Sequence, residues 1–575
     1  MPEAITFESF LTKDPLDNYE DHEKYTKEWL PKVEKYRSDL EKATPKELTV
    51  ELPKPIDELI EDQFNAVDYL YSKKLLTPEE FAITDLPTTE LAKKIASGEL
   101  TSIEVFKAYA HRAIICHQFT NCGMEIFIDE GLKQAEERDK YFKDTGKTVG
   151  PLHGIPISLK EHLGYKDKIT HASYVSRLDN ITKDHCVTTQ ILENLGAVFY
   201  IRTNEPQTLM HTDSNNNITG LTKNPFNLLL SSGGSSSGEG ALIAFGGSSL
   251  GVGTDIGGSI RIPAAFSGCL GLRPTANRIS LAGCESPACG QESVMPVIGP
   301  MGRSVEDIEL WMKSYINIGK PWNLDPTLVR MEWREVEVPK VNDLTIAVIR
   351  DDGLVRVSPP VRRALDVVVN KLKDAGVKVI EFTPPNTELA YETINKMYNA
   401  DGNVSQKGYL AESGEPLTKL TKWSLNFGTG EQPLSVLENR RLNVIRDQLR
   451  AEYNEYLMNN KIDFILSPSY NNVAPHSEAG FNWSYTTLFN ILDLPTLVFQ
   501  TGIYQDPKVD KWTEEDLQYK YRSPLEQFEN ENYDPEKFKG APVGLQLSGR
   551  RYFDEEVLAA GKAIVDLLGV DLYSH

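Results

Sequence analysis

An α/β fold, with a β-sheet covered by helices on both faces, is the class this sequence predicts. From Leu344 the chain reads LTIAVIR, then a helical stretch, then VKVIEF. That is a strand–helix–strand unit with apolar strands. In addition, 40% of the 575 residues are hydrophobic and 25% charged, enough to fill a large core.

The elements follow in chain order. Residues 1–80 carry 20 acidic and 11 basic side chains, a denser charge than the rest. Apolar positions recur at helical spacing around Tyr25, Trp29 and Val33, and again around Ile56, Leu59 and Ile60. This reads as amphipathic helices packed on the body, with a partner-binding or dimerising arm as the alternative. Thr101 followed by Glu104 is a capping box ahead of the amphipathic run SIEVFKAYAHRAIICHQ. IPISL and AVFYIR read as strands. In the central unit Ser358 stands at a cap with Pro359 and Pro360 in the first turn. Val361, Ala364, Leu365, Val368, Val369 and Leu372 share one helical face, and Gly376 ends the helix. Residues 505–540, charged and rich in Asn and Tyr, read as a surface insertion. Length alone would allow three or four domains, but no linker, low-complexity tract or repeat divides the chain.

Charge and composition exclude several functions. The net charge of −22 repels nucleic acid and anionic membrane surfaces. No apolar run is long enough to span a bilayer, and the acidic N-terminus does not look like a signal peptide. The six cysteines (Cys116, Cys122, Cys186, Cys269, Cys284 and Cys289) form no C-x-x-C pair and no disulfide scaffold, which suits a reducing, cytoplasmic compartment. No metal or cofactor is expected, because no H-E-x-x-H, Walker A or strict G-x-G-x-x-G pattern occurs.

Residues 231–262, SSGGSSSGEGALIAFGGSSLGVGTDIGGSIRI, contain ten glycines and eight serines. The embedded apolar run ALIAF, with Asp255 and Arg261, rules out a flexible linker. Glycines in an apolar setting imply close backbone approach, and the serines are either turn residues or reactive groups. G-x-S-x-G occurs twice, around Ser236 and Ser249, but a nucleophile elbow needs a later histidine. After Ser236 only His476, which reads as a surface-loop residue, and His575 remain. A serine without histidine needs another base. A desolvated lysine can serve, since burial disfavours its charged form. Lys160, at the end of IPISL in LHGIPISLKEHLG, is the candidate, although taken alone a lysine there reads first as a strand-end residue reaching solvent.

From about Pro78 onward the sequence resembles the amidase signature family, and within it fungal acetamidases and fatty acid amide hydrolases. The resemblance rests on GGSSSGEGALIAFGGSSLGVGTDIGGSIRIPAAFSGCLGLRPT (233–275), with LHGIPISLKE, TNEPQTL, GPMGRSVEDIEL, YTTLFNILDLPTLVF and APVGLQLSGRRYFDEEVL in support. It implies a large mixed central β-sheet covered by helices on both faces. It divides the chain into a charged helical extension, 1–77, and a catalytic domain, 78–575. It implies an amidase that hydrolyses carboxylic acid amides through a Ser-Ser-Lys triad and an acyl-enzyme. Ser259 matches the nucleophile, Ser235 the bridging serine beside a cis peptide bond, and Lys160 the base. The N–H groups of Ile256, Gly257, Gly258 and Ser259 match the oxyanion hole, and Leu209 a substrate-pocket position. Ser236, Asp255 and Arg261 are expected to be structural, the last two as a buried ion pair. The partner would be a small-molecule amide, and a homodimer is a family-level expectation. An esterase-like hydrolase, the glutaminase subunit of a tRNA-dependent amidotransferase and a non-catalytic scaffold are the alternatives. One departure stands out: Ser237 occupies a position where the family has glycine, and it would be strained if that position needs a positive φ.

Overall fold

The computed structural model describes residues 19–430 and 432–574. His575 and the first 18 residues of the expected extension lie outside the described residues. Among the described residues thirteen strands are found: β1 (Gly123–Ile126), β2 (Pro156–Lys160), β3 (Val198–Thr203), β4 (Lys223–Asn224), β5 (Asn227–Ser231), β6 (Leu250–Asp255), β7 (Leu270–Arg273), β8 (Val297–Gly302), β9 (Thr345–Val348), β10 (Lys378–Glu381), β11 (Phe464–Pro468), β12 (Thr496–Tyr504) and β13 (Pro542–Ser548). Eleven of them form one mixed sheet, in the order β1-β3-β2-β6-β8-β7-β12-β13-β11-β9-β10. β4 and β5 pair as a separate ribbon. Helices cover both faces, with two large apolar clusters: one holds the inward face of Ser237–Phe245, the other Leu365, Val368, Val369 and Leu372 of the helix Pro359–Asp374.

Local signals explain much of this. Thr101 and Glu104 make both bonds of the capping box, and the helix Ser102–Thr120 follows. The six apolar residues from Val361 to Leu372 are all buried, as their shared face requires. Ser358 precedes that helix but its side chain makes no capping bond; Pro359 at the first turn, which has no N–H to cap, sets the start. The strand after the helix, β10, is the sheet's edge, and its Lys378 and Glu381 face solvent. The segment 505–540 is more than a surface insertion. Its Glu529 is buried, accepting from Tyr470 Oη at 2.9 Å and from the N–H of Phe481 at 2.7 Å.

In the N-terminal region Tyr25, Trp29 and Val33 are buried against Met124, Val175, Leu178 and Ile218. Leu59 joins the larger core.

The topology places the site. β2 runs parallel to both neighbours, β3 and β6, so the carboxyl ends of all three emerge at one edge. Lys160 ends β2 opposite Thr203, the last residue of β3, and Asp255 ends β6. Crevices at the carboxyl ends of parallel strands are where α/β folds gather functional groups.

Candidate active site

Lys160 is fully buried, and its Nζ has two hydroxyls as hydrogen-bond partners: Ser235 Oγ at 2.6 Å and Thr254 Oγ1 at 2.9 Å. Burial lowers its pKa to about 8 against the opposing pull of Glu205, Asp255 and Glu239. Ser235 follows a cis Gly234–Ser235 peptide bond. Gly234 presses on the backbone of Asp213; a Cβ there would lie 2.1 Å from the Asp213 carbonyl oxygen, so only glycine fits. The serines enter from β5, and the helix Ser237–Phe245 leaves behind them.

The loop after β6 carries Ser259. The backbone N–H of Ser236 donates to the Ser259 carbonyl at 3.0 Å, tying the two serine loops together. Ser259 lines a small cavity together with Met210, His211, Gly234, Ile256, Ile262 and Trp483. Gly258 turns the loop with φ +128, a conformation that side chains rarely adopt, and a Cβ there would lie 2.5 Å from Thr486 Oγ1.

Asp255 and Arg261 form the expected ion pair, fully buried: Nη2 to Oδ1 at 3.0 Å and Nε to Oδ2 at 3.1 Å. Burial alone would raise the Asp255 carboxyl, but Arg261 overrides it and holds the group at about 2. Asp255 also accepts from Asn490 Nδ2 at 2.9 Å, from the N–H of Gly258 at 3.0 Å and from that of Ile260 at 3.1 Å. The Gly258 N–H, one of the four expected oxyanion-hole donors, is thus engaged by Asp255 in this structure. The N–H groups of Ile256, Gly257 and Ser259 have no such partner among the described residues. Tyr398 Oη donates to the Ile256 carbonyl at 2.6 Å and Thr486 Oγ1 to that of Gly257 at 2.6 Å, so both carbonyls already have partners.

Leu209, expected at the substrate pocket, has φ +63 and packs with Ala172, Tyr174 and Leu410, while the next residue, Met210, lines the cavity. Ser236 is structural: its Oγ accepts from the Thr254 N–H at 3.2 Å and donates to the Thr254 carbonyl at 3.3 Å. Ser249 is buried with its Oγ 2.7 Å from Thr88 Oγ1, far in kind from an exposed elbow. His476 is half-buried, its ring 5.3 Å from that of Phe538. Ser237 opens its helix without a positive φ, so the anticipated strain is absent.

Thr254, His162, Asn490, Trp483 and Tyr398 were not singled out from sequence. His162 and Asn490 lie inside the segments KEHLG and YTTLFNILDLP, whose order carried the signal; Tyr398 and Trp483 lie in stretches with no motif. A larger cavity of about 880 Å³ opens elsewhere, beside Thr387, Tyr391 and Arg522. It meets this site through Asn395, whose Oδ1 accepts from Trp483 Nε1 at 3.0 Å. The polar groups Lys160, Ser235, Thr254 and Ser259 gather around the small cavity instead.

A family model for amidases matches residues 104–558. The acetamidase of Aspergillus oryzae is 36% identical, across 88% of this chain and 94% of its own. That of Emericella nidulans is 37% identical, across 88% and 93%. A solved structure of a fatty acid amide hydrolase superposes with a TM-score of 0.98 at 73% identity, covering 99% of this chain and 100% of that one.

Proposed function

The chain belongs to the amidase signature family and is an amide hydrolase; on that premise we propose that Lys160, Ser235 and Ser259 form its catalytic relay. The contact between Lys160 and Ser235, 2.6 Å in a buried setting, carries this reading. Neutral Lys160 takes the proton of Ser235 as Ser235 takes that of Ser259, and Ser259 Oγ attacks the amide carbonyl carbon. The carbonyl oxygen becomes an oxyanion facing the N–H groups of Ile256, Gly257 and Ser259. Each donor of this kind is worth about 3–4 kcal/mol in a transition state. The relay then returns a proton to the leaving nitrogen as the C–N bond breaks, since an amide anion cannot depart unprotonated. Water attacks the acyl-enzyme with the same base, releasing the acid and freeing Ser259.

The substrate proposed is the amide of a fatty acid. Met210, Ile256, Ile262 and Trp483 make the wall beside Ser259 largely apolar, and the solved structure at 73% identity is a fatty acid amide hydrolase. Hydrolysis of acetamide, hexanamide, benzamide and oleamide tests this. The expected order has kcat/KM highest for oleamide; a preference for acetamide would overturn it. Cytoplasmic residence is part of the same proposal, supported by six cysteines present as free thiols. No helix among the described residues is long and apolar enough to cross a membrane.

A further inference from the structure

Lys160 is held from its far side by a chain of hydrogen bonds. Thr254 Oγ1 lies 2.9 Å from Lys160 Nζ and 3.0 Å from His162 Nε2, and His162 Nδ1 lies 3.0 Å from the Glu285 carbonyl oxygen. We propose that His162 is a positioning residue that sets the direction of this chain, and thereby aims the lone pair of the neutral Lys160 amine at Ser235.

The argument is one of donors and acceptors. A carbonyl oxygen only accepts, so Nδ1 of His162 carries the ring proton and donates to Glu285. The other nitrogen, Nε2, is then bare and accepts from the Thr254 hydroxyl. A hydroxyl has one hydrogen, so Thr254 presents only lone pairs to Lys160, and the amine must donate there. A neutral amine has two N–H bonds and one lone pair. With one N–H directed at Thr254, the lone pair is available to the Ser235 hydroxyl, the orientation a base requires. Without an acceptor at His162, the Thr254 hydroxyl is free to rotate and donate to the amine. Its lone pair is then occupied, and an N–H faces Ser235 instead.

The surroundings hold the chain in place. The Glu285 N–H donates to the His162 carbonyl at 2.9 Å, so ring and backbone clasp the same residue. The Glu285 carboxylate is held by Arg177 at 3.3 Å and by Asn180 Nδ2 at 3.1 Å. Ser236 grips the Thr254 backbone on both sides. His162 is buried and faces the charged groups Lys160, Glu161 and Arg202, while Lys160 faces Glu205, Asp255 and Glu239. Burial, then the neighbouring Lys160, pushes the imidazole down to about 3, so it stays neutral over the working range.

The inference rests on Lys160 being the base, and the experiment separates the two. Full-length His162→Leu, His162→Gln, Thr254→Val, Thr254→Ser, the Leu/Val double variant and Lys160→Met are compared by kcat, KM and pH profile on one amide. His162→Leu is expected to lower kcat about tenfold or more with KM little changed. It should also move the acid limb to lower pH, because Thr254 then donates to, and stabilises, the neutral amine. His162→Gln, whose carbonyl oxygen can accept from Thr254, restores most of kcat and the original limb. The double variant is no worse than Thr254→Val, since both act through one chain. Should His162→Leu fail to fold, Thr254→Ser against Thr254→Val decides: the serine keeps kcat within about threefold and the valine does not. Wild-type kcat and acid limb in His162→Leu, equal loss in Leu and Gln with no shift of the limb, multiplicative losses in the double variant, or equal kcat in the Thr254 pair would each overturn the inference. Turnover surviving in Lys160→Met would instead overturn the base itself.

Discussion

Lys160 Nζ and Ser235 Oγ stand 2.6 Å apart at the end of β2, in a place where burial has brought the lysine down to about 8. A base works in its unprotonated form, so protonation below that value removes it. We expect kcat/KM to level off above pH 8 and to fall about tenfold per unit below it, the slope of a single ionisation. A profile flat from pH 5 to 9 would contradict the assignment.

Substitution separates the three groups of the relay. Ser259→Ala should lose turnover about 10⁴-fold or more and also lose covalent labelling by a fluorophosphonate. Lys160→Met should lose most turnover at neutral pH. Ser236→Ala should label normally, since its hydroxyl bonds the backbone of Thr254. Loss of labelling in Ser236→Ala alone would transfer the nucleophile to that residue.

Asp255 joins the stability of the nucleophile loop to its geometry. Asp255→Asn leaves the Arg261 guanidinium buried without its counter-charge, and breaking such a pair costs about 3–5 kcal/mol. The expected result is a lower Tm together with reduced kcat, because the carboxylate also holds the Gly258 and Ile260 N–H groups. An unchanged Tm by calorimetry would refute it.

Neighbouring residues on one strand of chain should behave differently. Met210→Ala enlarges the cavity wall and should change the ratio of kcat/KM between hexanamide and oleamide. Leu209→Ala, which loosens packing against Ala172, Tyr174 and Leu410, should lower Tm and leave that ratio alone. A reversal would return Leu209 to the pocket.

Ser237→Gly should be nearly neutral for the loop conformation, because Ser237 already sits in a helical first turn. In that turn glycine is destabilising by about 0.5–1 kcal/mol relative to alanine, so a gain in stability on Ser237→Gly would show strain that the backbone does not display.

Much of the fold was legible because its signals are local. Thr101 and Glu104 meet within one helical turn, and the face from Val361 to Leu372 is a matter of period. The sequence by itself determined the α/β class and the dense Gly/Ser tract with its close-packed backbone; Lys160 emerged as a possible base, and the family resemblance pointed to Ser235 and Ser259 beside it. The sequence also determined Asp255 with Arg261, six positions apart and able to pair across a single loop. Tertiary structure alone decided what those residues meet. Asp255 also accepts from Asn490, which lies 235 residues onward in the sequence. Leu209, at φ +63, packs with Ala172, Tyr174 and Leu410, whereas Met210 lines the cavity. His162 meets Thr254 only because β2 and β6 lie side by side in parallel. Residue type and spacing report what one segment can do. Which donor finds which acceptor depends on segments far apart in sequence, and that is settled only when the sheet assembles.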